Sequence, residues 1–149
     1  MDAEMMENIR QNEKYYRIRE GISAKHIGEI AGHSDAWIIM FESGVIKSLR
    51  DQDLQKVAGA LGVKIKDLVK PAGDPVLSLT DEEHARGLEN LEKIRKHQKL
   101  TPQQFNIILG LSENHFRKVM AGYSHFGIKT WWRIADALHM DLKVLIGRG

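Results

Sequence analysis

Cysteine is absent from this chain of 149 residues. That excludes disulfides, thiolate nucleophiles and cysteine-ligated zinc, so packing and hydrogen bonding alone must hold the fold. No apolar run approaches the roughly 20 residues that a bilayer-spanning helix needs, and no membrane partner is expected. The opening MDAEMMENIRQNEK lacks the basic and apolar regions of a secretory leader, from which a cytoplasmic location is expected. Seven histidines include no HxxxH or HExxH pair, so no metal is expected. Serine and histidine abound without a recognisable nucleophile setting, and no glycine-rich phosphate loop is present, so neither an enzyme nor a cofactor is expected. Proline is scarce, with three in all, and two of them, Pro71 and Pro75, share the stretch KPAGDPVLSLT. With Gly73 they forbid a continuous helix there.

The charge that is present is unevenly spread. Residues 1–70 carry 11 Lys/Arg against 11 Asp/Glu, whereas from Lys93 onward 10 Lys/Arg face only Glu113, Asp136 and Asp141, a net +7. Just upstream, residues 81–92 hold five acids and one arginine. The second half therefore carries an anion-seeking field.

The chain also repeats itself. Ile22 and Leu100, Gly32 and Gly110, Ser34 and Ser112, and Gly44 and Gly122 are each 78 residues apart. Beyond the last glycines the offset becomes 77, matching Ala58 with Ala135, Leu61 with Leu138 and Leu68 with Leu145. One residue lost from a surface connection is tolerated, whereas inside a helix it would destroy the phase, so a loop follows Gly44 and Gly122. The expected organisation is a first domain over 1–70, a linker over 71–79 and a second domain over 80–149. Val76, Leu77 and Leu79 are apolar for a linker and are expected to pack on a domain.

Apolar spacing is helical throughout, with Met6, Ile9 and Tyr16, or Leu88, Leu91 and Ile94, marking first helices. Thr80 with Glu83 forms a capping box, Ser23 and Thr101 are good caps for second helices, and Pro102 suits the first position after Thr101. Third helices are expected after Ser34 and Ser112, fourth helices around Leu54 to Leu61 and Trp131 to Leu138, and short fifth helices around 66–70 and 142–146. No stretch alternates well enough for a sheet. The fold class expected is all-α, as two tandem five-helix bundles. Trp131 is expected in the core, and Trp132 in a partly buried contact between domains or subunits.

The segments ISAKHIGEIAGHSDAWIIMFESG and LTPQQFNIILGLSENHFRKVMAG resemble the helix-turn-helix unit of the Cro and lambda-repressor-like (XRE-type) family. With the flanking helices, the resemblance covers nearly the whole chain. It implies two tandem lambda-repressor-like DNA-binding domains, each placing its third helix in the major groove. The turn wants a small residue, filled by Gly28; Asn106 departs from the pattern at the matching position. Ile38 and Phe41, or Phe116 and Val119, are expected to face the core.

Carried over by position, the base-reading face of the second copy is Glu113, Asn114, His115, Arg117 and Lys118. Asparagine can pair bidentately with adenine, and Arg or Lys with guanine. Phosphate contacts are expected from Thr101, Gln103, Tyr123, Ser124, His125 and Lys129. The equivalent face of the first copy, Asp35, Ala36, Trp37, Ile39 and Met40, has one acid and no donor except the indole. With Ser23, Lys25, Ser43, Lys47 and Ser48 around it, this face is expected to sit on the DNA backbone or to serve a protein partner or homodimer. The resemblance also implies an ion pair between Arg17 and Glu42. Arg95 faces Met120 instead and is expected to turn to solvent, a backbone carbonyl or phosphate.

The function expected is sequence-specific double-stranded DNA binding by a transcriptional regulator, a repressor of bacterial or prophage type, with the second domain as the reader. The alternative is an interaction module, an antirepressor or adaptor, using the apolar Trp37 face of the first domain.

Overall fold

The computed structural model describes residues 2–148. Among them are ten helices and no strand, so the chain is all-α, and no helix is long and apolar enough to cross a membrane. The chain divides into two compact units, Met1–Pro75 and Val76–Gly149.

In the first unit, α1 (Ala3–Glu20) is capped by the Asp2 carboxylate, which accepts from the Met5 amide at 2.8 Å. It is followed by α2 (Ala24–Ala31), α3 (Trp37–Glu42), α4 (Asp51–Leu61) and α5 (Ile65–Val69). Ile9, Ile27, Ile38, Phe41, Val57 and Leu68, all fully buried, bring the five helices onto one core. Asn12, buried in the middle of α1, donates to the carbonyls of Leu68 and Lys70 at 2.9 and 2.8 Å and so ties the end of the unit to its first helix.

The second unit runs α6 (Asp81–His97), α7 (Pro102–Leu109), α8 (Glu113–Met120), α9 (Ile128–Leu138) and α10 (Leu142–Leu145). Its core is built on Leu91, Phe105, Phe116, Trp131, Ile134 and Leu145. Asn90, 78 residues after Asn12, makes the same tie, donating to the Leu145 carbonyl at 2.7 Å. Gly87 makes room for Trp131, whose ring would lie 2.6 Å from a Cβ at that position.

The anticipated caps form: Ser23 accepts from the His26 amide, Thr101 from Gln104, and Thr80 and Glu83 exchange amide bonds at 3.1 and 3.0 Å. Val76 is buried in the second unit's core, and Leu79 packs against it. Trp132 is half-buried; its indole nitrogen donates to the Val76 carbonyl at 3.0 Å and its ring packs on its own unit's core, which Val76 continues.

The two turns before the third helices differ. Gly28 lets the Ser34 carbonyl approach so closely that a Cβ there would lie 2.3 Å from the oxygen. Asn106 has the Cβ that Gly28 lacks, so the backbone at Ser112 cannot approach in that way. Helix α8 starts directly after Ser112, whose hydroxyl caps His115 at 3.2 Å. Helix α3 instead begins only at Trp37, with no side-chain cap, so Ser34 does not start it as anticipated. Replacing Gly28 by Ala should cost about 1–3 kcal/mol, since a backbone oxygen has to shift; urea denaturation of the full chain, followed by helicity, measures it.

Candidate functional site

On α8 the apolar side chains Phe116 and Val119 are buried at 3% and 1% exposure. At 3.6 residues per turn, this forces Asn114, Arg117 and Lys118 to the opposite side, and all three are exposed. One guanidinium nitrogen of Arg117 donates to the Asn114 side-chain oxygen at 2.7 Å, which sets the two polar heads side by side. Glu113 is exposed at the helix start and accepts from Gln103 of α7 at 3.3 Å. His115 is only half-buried and lies edge-on to Phe126, with ring centroids 5.2 Å apart, so it sits at the flank of the face.

The residues flanking α8 are placed by several elements. Thr101 and Gln103 are exposed at the start of α7, with the Thr101 hydroxyl engaged as its cap. Tyr123, at 85% exposure, and His125 project from the loop after α8, while Ser124 is half-buried. Lys129 is exposed in the first turn of α9.

The corresponding face of the first unit requires a correction. Trp37 is not on the surface: it is 6% exposed and belongs to the unit's own core. Its ring stacks on His33 with centroids 4.1 Å apart and planes 12° off parallel. His33 is in turn fixed by Asp53 at 3.0 Å, and Asp53 by Arg50 at 3.2 Å. Burial works against ionisation of Asp53, but its hydrogen bonds with His33 and Arg50 outweigh that and hold its carboxyl below the usual value. Asp35 and Ala36 are exposed, Ile39 is 44% exposed and Met40 is half-buried. Lys25 and Lys47 are exposed, and the Ser23 hydroxyl is engaged as a cap.

Behind the third helices the units use different polar anchors. Arg17 makes a two-pronged bond to Glu42, 2.8 Å on each arm. Arg95 turns to Glu92 at 2.7 Å and donates to the Leu100 carbonyl at 2.9 Å. The carbonyl was anticipated, whereas the carboxylate one turn earlier on the same helix was not. Glu13 is fully buried between Glu42 and Arg17, whose guanidinium nitrogen lies 3.8 Å from one of its carboxyl oxygens. Burial, reinforced by Glu42 and opposed by Arg17, pushes its carboxyl well above the usual value. The spacing of apolar residues on α1 gave no sign of this group.

Among the described residues, no group of three or more His, Cys, Asp or Glu is arranged to hold a metal ion. No protein-family model matches the chain, and no curated protein or solved structure matches it.

A carboxyl whose folded value is raised contributes stability below its unfolded value and loses it as pH rises through the folded value. Glu13→Gln, which keeps the shape without the titration, should therefore flatten the fall in first-unit stability on the alkaline side of the ordinary carboxylate range. Denaturant midpoints for the two proteins across pH measure this; parallel profiles would contradict it.

Proposed function

We propose that the chain is a sequence-specific double-stranded DNA-binding transcriptional regulator, a repressor of bacterial or prophage type. In this reading its two units are tandem Cro and lambda-repressor-like five-helix domains, and the second is the reader. The observation that carries the proposal is the joint exposure of Asn114, Arg117 and Lys118 on the one side of α8 that its buried Phe116 and Val119 leave free. A carboxamide and two cations on one short helix suit adenine and guanine edges in a major groove, where each good bidentate pair discriminates by about 1–3 kcal/mol. Thr101, Gln103, Tyr123, Ser124, His125 and Lys129 border that face and suit phosphate. Glu113, already occupied by Gln103, contributes by rejecting bases that offer only acceptors.

The first unit offers this chemistry poorly. With Trp37 withdrawn into the core, the outward set reduces to Asp35, Ala36, Ile39 and Met40, which includes no cation. We assign it to dimerisation or to a protein partner, with Lys25 and Lys47 as backbone contacts if it also meets the duplex. The rival reading, an antirepressor or adaptor, is favoured by the exposed Ile30 and Ile39 of this unit, 42% and 44%. It no longer has the indole as its anchor.

Titrating the full chain against random duplex DNA at increasing salt separates the two readings. A regulator binds with a steep salt dependence, and each lost Lys or Arg phosphate contact reduces the slope by about one. Arg117→Ala with Lys118→Ala should abolish duplex binding, and Ile39→Ala should leave it intact. Absence of binding at low salt would leave the adaptor reading. Trp37→Ala is a stability variant, expected to destabilise the first unit by about 3–5 kcal/mol.

A further inference from the structure

The loop between α8 and α9, which carries Tyr123, Ser124 and His125, is fastened to the second unit by an imidazole. The buried amide of Phe126 donates to Nε2 of His84 on α6 at 3.1 Å. His84 is 7% exposed, edge-on to Trp131 with centroids 5.4 Å apart and 4.5 Å from the ring of His125. A backbone N–H can only donate, so Nε2 must be an acceptor, and the ring must be neutral with its proton on Nδ1. A cavity of about 320 Å³ bordered by Leu79, Asp81, His84, His125 and Ile128 lies beside the ring and gives a proton a way in.

The first unit solves the same problem differently. At the position 78 residues before His84 stands Met6, an apolar core residue. There the corresponding loop is held by Arg10, which donates to the carbonyls of Phe41 at 2.8 Å and Lys47 at 3.4 Å. A guanidinium has no proton to gain on acidification, whereas an imidazole acceptor loses its function once protonated.

We infer that His84 is the positioning residue of the 121–127 loop, a latch that closes by accepting the Phe126 amide and opens on protonation. Resting on the reading of this loop as a phosphate contact, the latch makes duplex affinity depend on a group that touches no DNA. The groups facing His84 are Asp81 on its own helix, which favours the charged ring, and His125 from the loop, which opposes it. Trp131 of α9 and the apolar residues 77 and 79 bring no charge, and Glu83 is engaged by Arg148 and the Thr80 amide. Burial first, then His125, pushes His84 below its ordinary value. The neutral ring's contribution is therefore present above that value and lost as pH falls through the lower, folded one. This opposes the simple expectation that acid strengthens binding to a polyanion by charging histidines.

Nitrogen-15 NMR of the full chain tests the latch without DNA. At neutral pH, His84 should carry its proton on Nδ1 and the Phe126 amide should be protected from exchange. Acidification through the His84 titration should remove that protection while α8 and α9 stay helical. His84→Met, the first unit's residue, should lose the protection at all pH values and bind duplex roughly tenfold more weakly at neutral pH, the difference from wild type vanishing in acid. His84→Gln, whose carboxamide oxygen accepts without titrating, should keep protection and affinity in acid, and it serves where the methionine variant does not fold. A proton on Nε2 at neutral pH, or a Phe126 amide still protected after His84 has titrated, overturns the latch. Absence of duplex binding by the wild type overturns the functional reading instead, and the two NMR signatures remain decisive for the latch.

Discussion

The chemistry of the second unit depends on how α8 is pinned. Phe116 and Val119 anchor one side of an eight-residue helix in a core built on Phe105, Trp131 and Leu91. A helix this short has little stability of its own, so its orientation comes from those buried side chains and from the Ser112 cap. Turning it by one residue, about 100°, so that Arg117 took the place of Phe116, would bury the cation and move Phe116 to the half-buried place of His115. Apolar burial of that size is worth about 1.5–3 kcal/mol per side chain, and an unpaired buried cation costs more. The outward set of Asn114, Arg117 and Lys118 is therefore fixed by packing behind it rather than by anything in front.

The same frame, met twice, shows which parts of it are structural. Asn12 and Asn90 make the same bond to the tail of their units, and Arg17 and Arg95 both donate to the carbonyl just before the cap of the second helix, Ile22 or Leu100. Around these constants the polar anchors are exchanged. Glu42 opposite Arg17 becomes Met120, and Arg95 finds Glu92 one turn earlier on its own helix. His33, stacked on Trp37, becomes Leu111, and the loop anchor passes from Arg10 to His84. Each exchange keeps the backbone path while altering what the surface offers and what acid does to it.

Much of this was legible in the sequence because it depends on local rules. The offsets of 78 and 77 and the caps at Ser23, Thr80 and Thr101 follow from periodicity or from orphan amides at helix starts, and the family resemblance implies the inward Ile38, Phe41, Phe116 and Val119. Trp37 is buried, against the expectation from the resemblance, because it stands four residues before Phe41 and so shares its inward side, as His115 shares that of Val119. The start of α3 was not legible, because it is set by the approach of Ser34 to Gly28 across the turn. Nor were Glu13, Arg10 and His84, whose roles are assigned by partners 29, 31 and 42 residues away, for which a single sequence gives no pairing signal.

The bias of charge in the second half also has to be discounted by structure before it argues for a ligand. Asp81, Glu82 and Glu83 occupy the first turn of α6, and Arg95, Lys96 and His97 its last turn, an arrangement that the helix dipole favours by itself. Arg95 is committed to Glu92, and Arg148 to Glu83, whose carboxyl its guanidinium, with the Thr80 amide, draws down to about 2. Arg117 differs from these, because the partner it meets is the neutral oxygen of Asn114, and among the described residues no carboxylate lies within ion-pair distance of it. In the proposed reading, a polyanion would therefore meet less the net +7 than its unpaired part on α8, beside the Asn114 carboxamide.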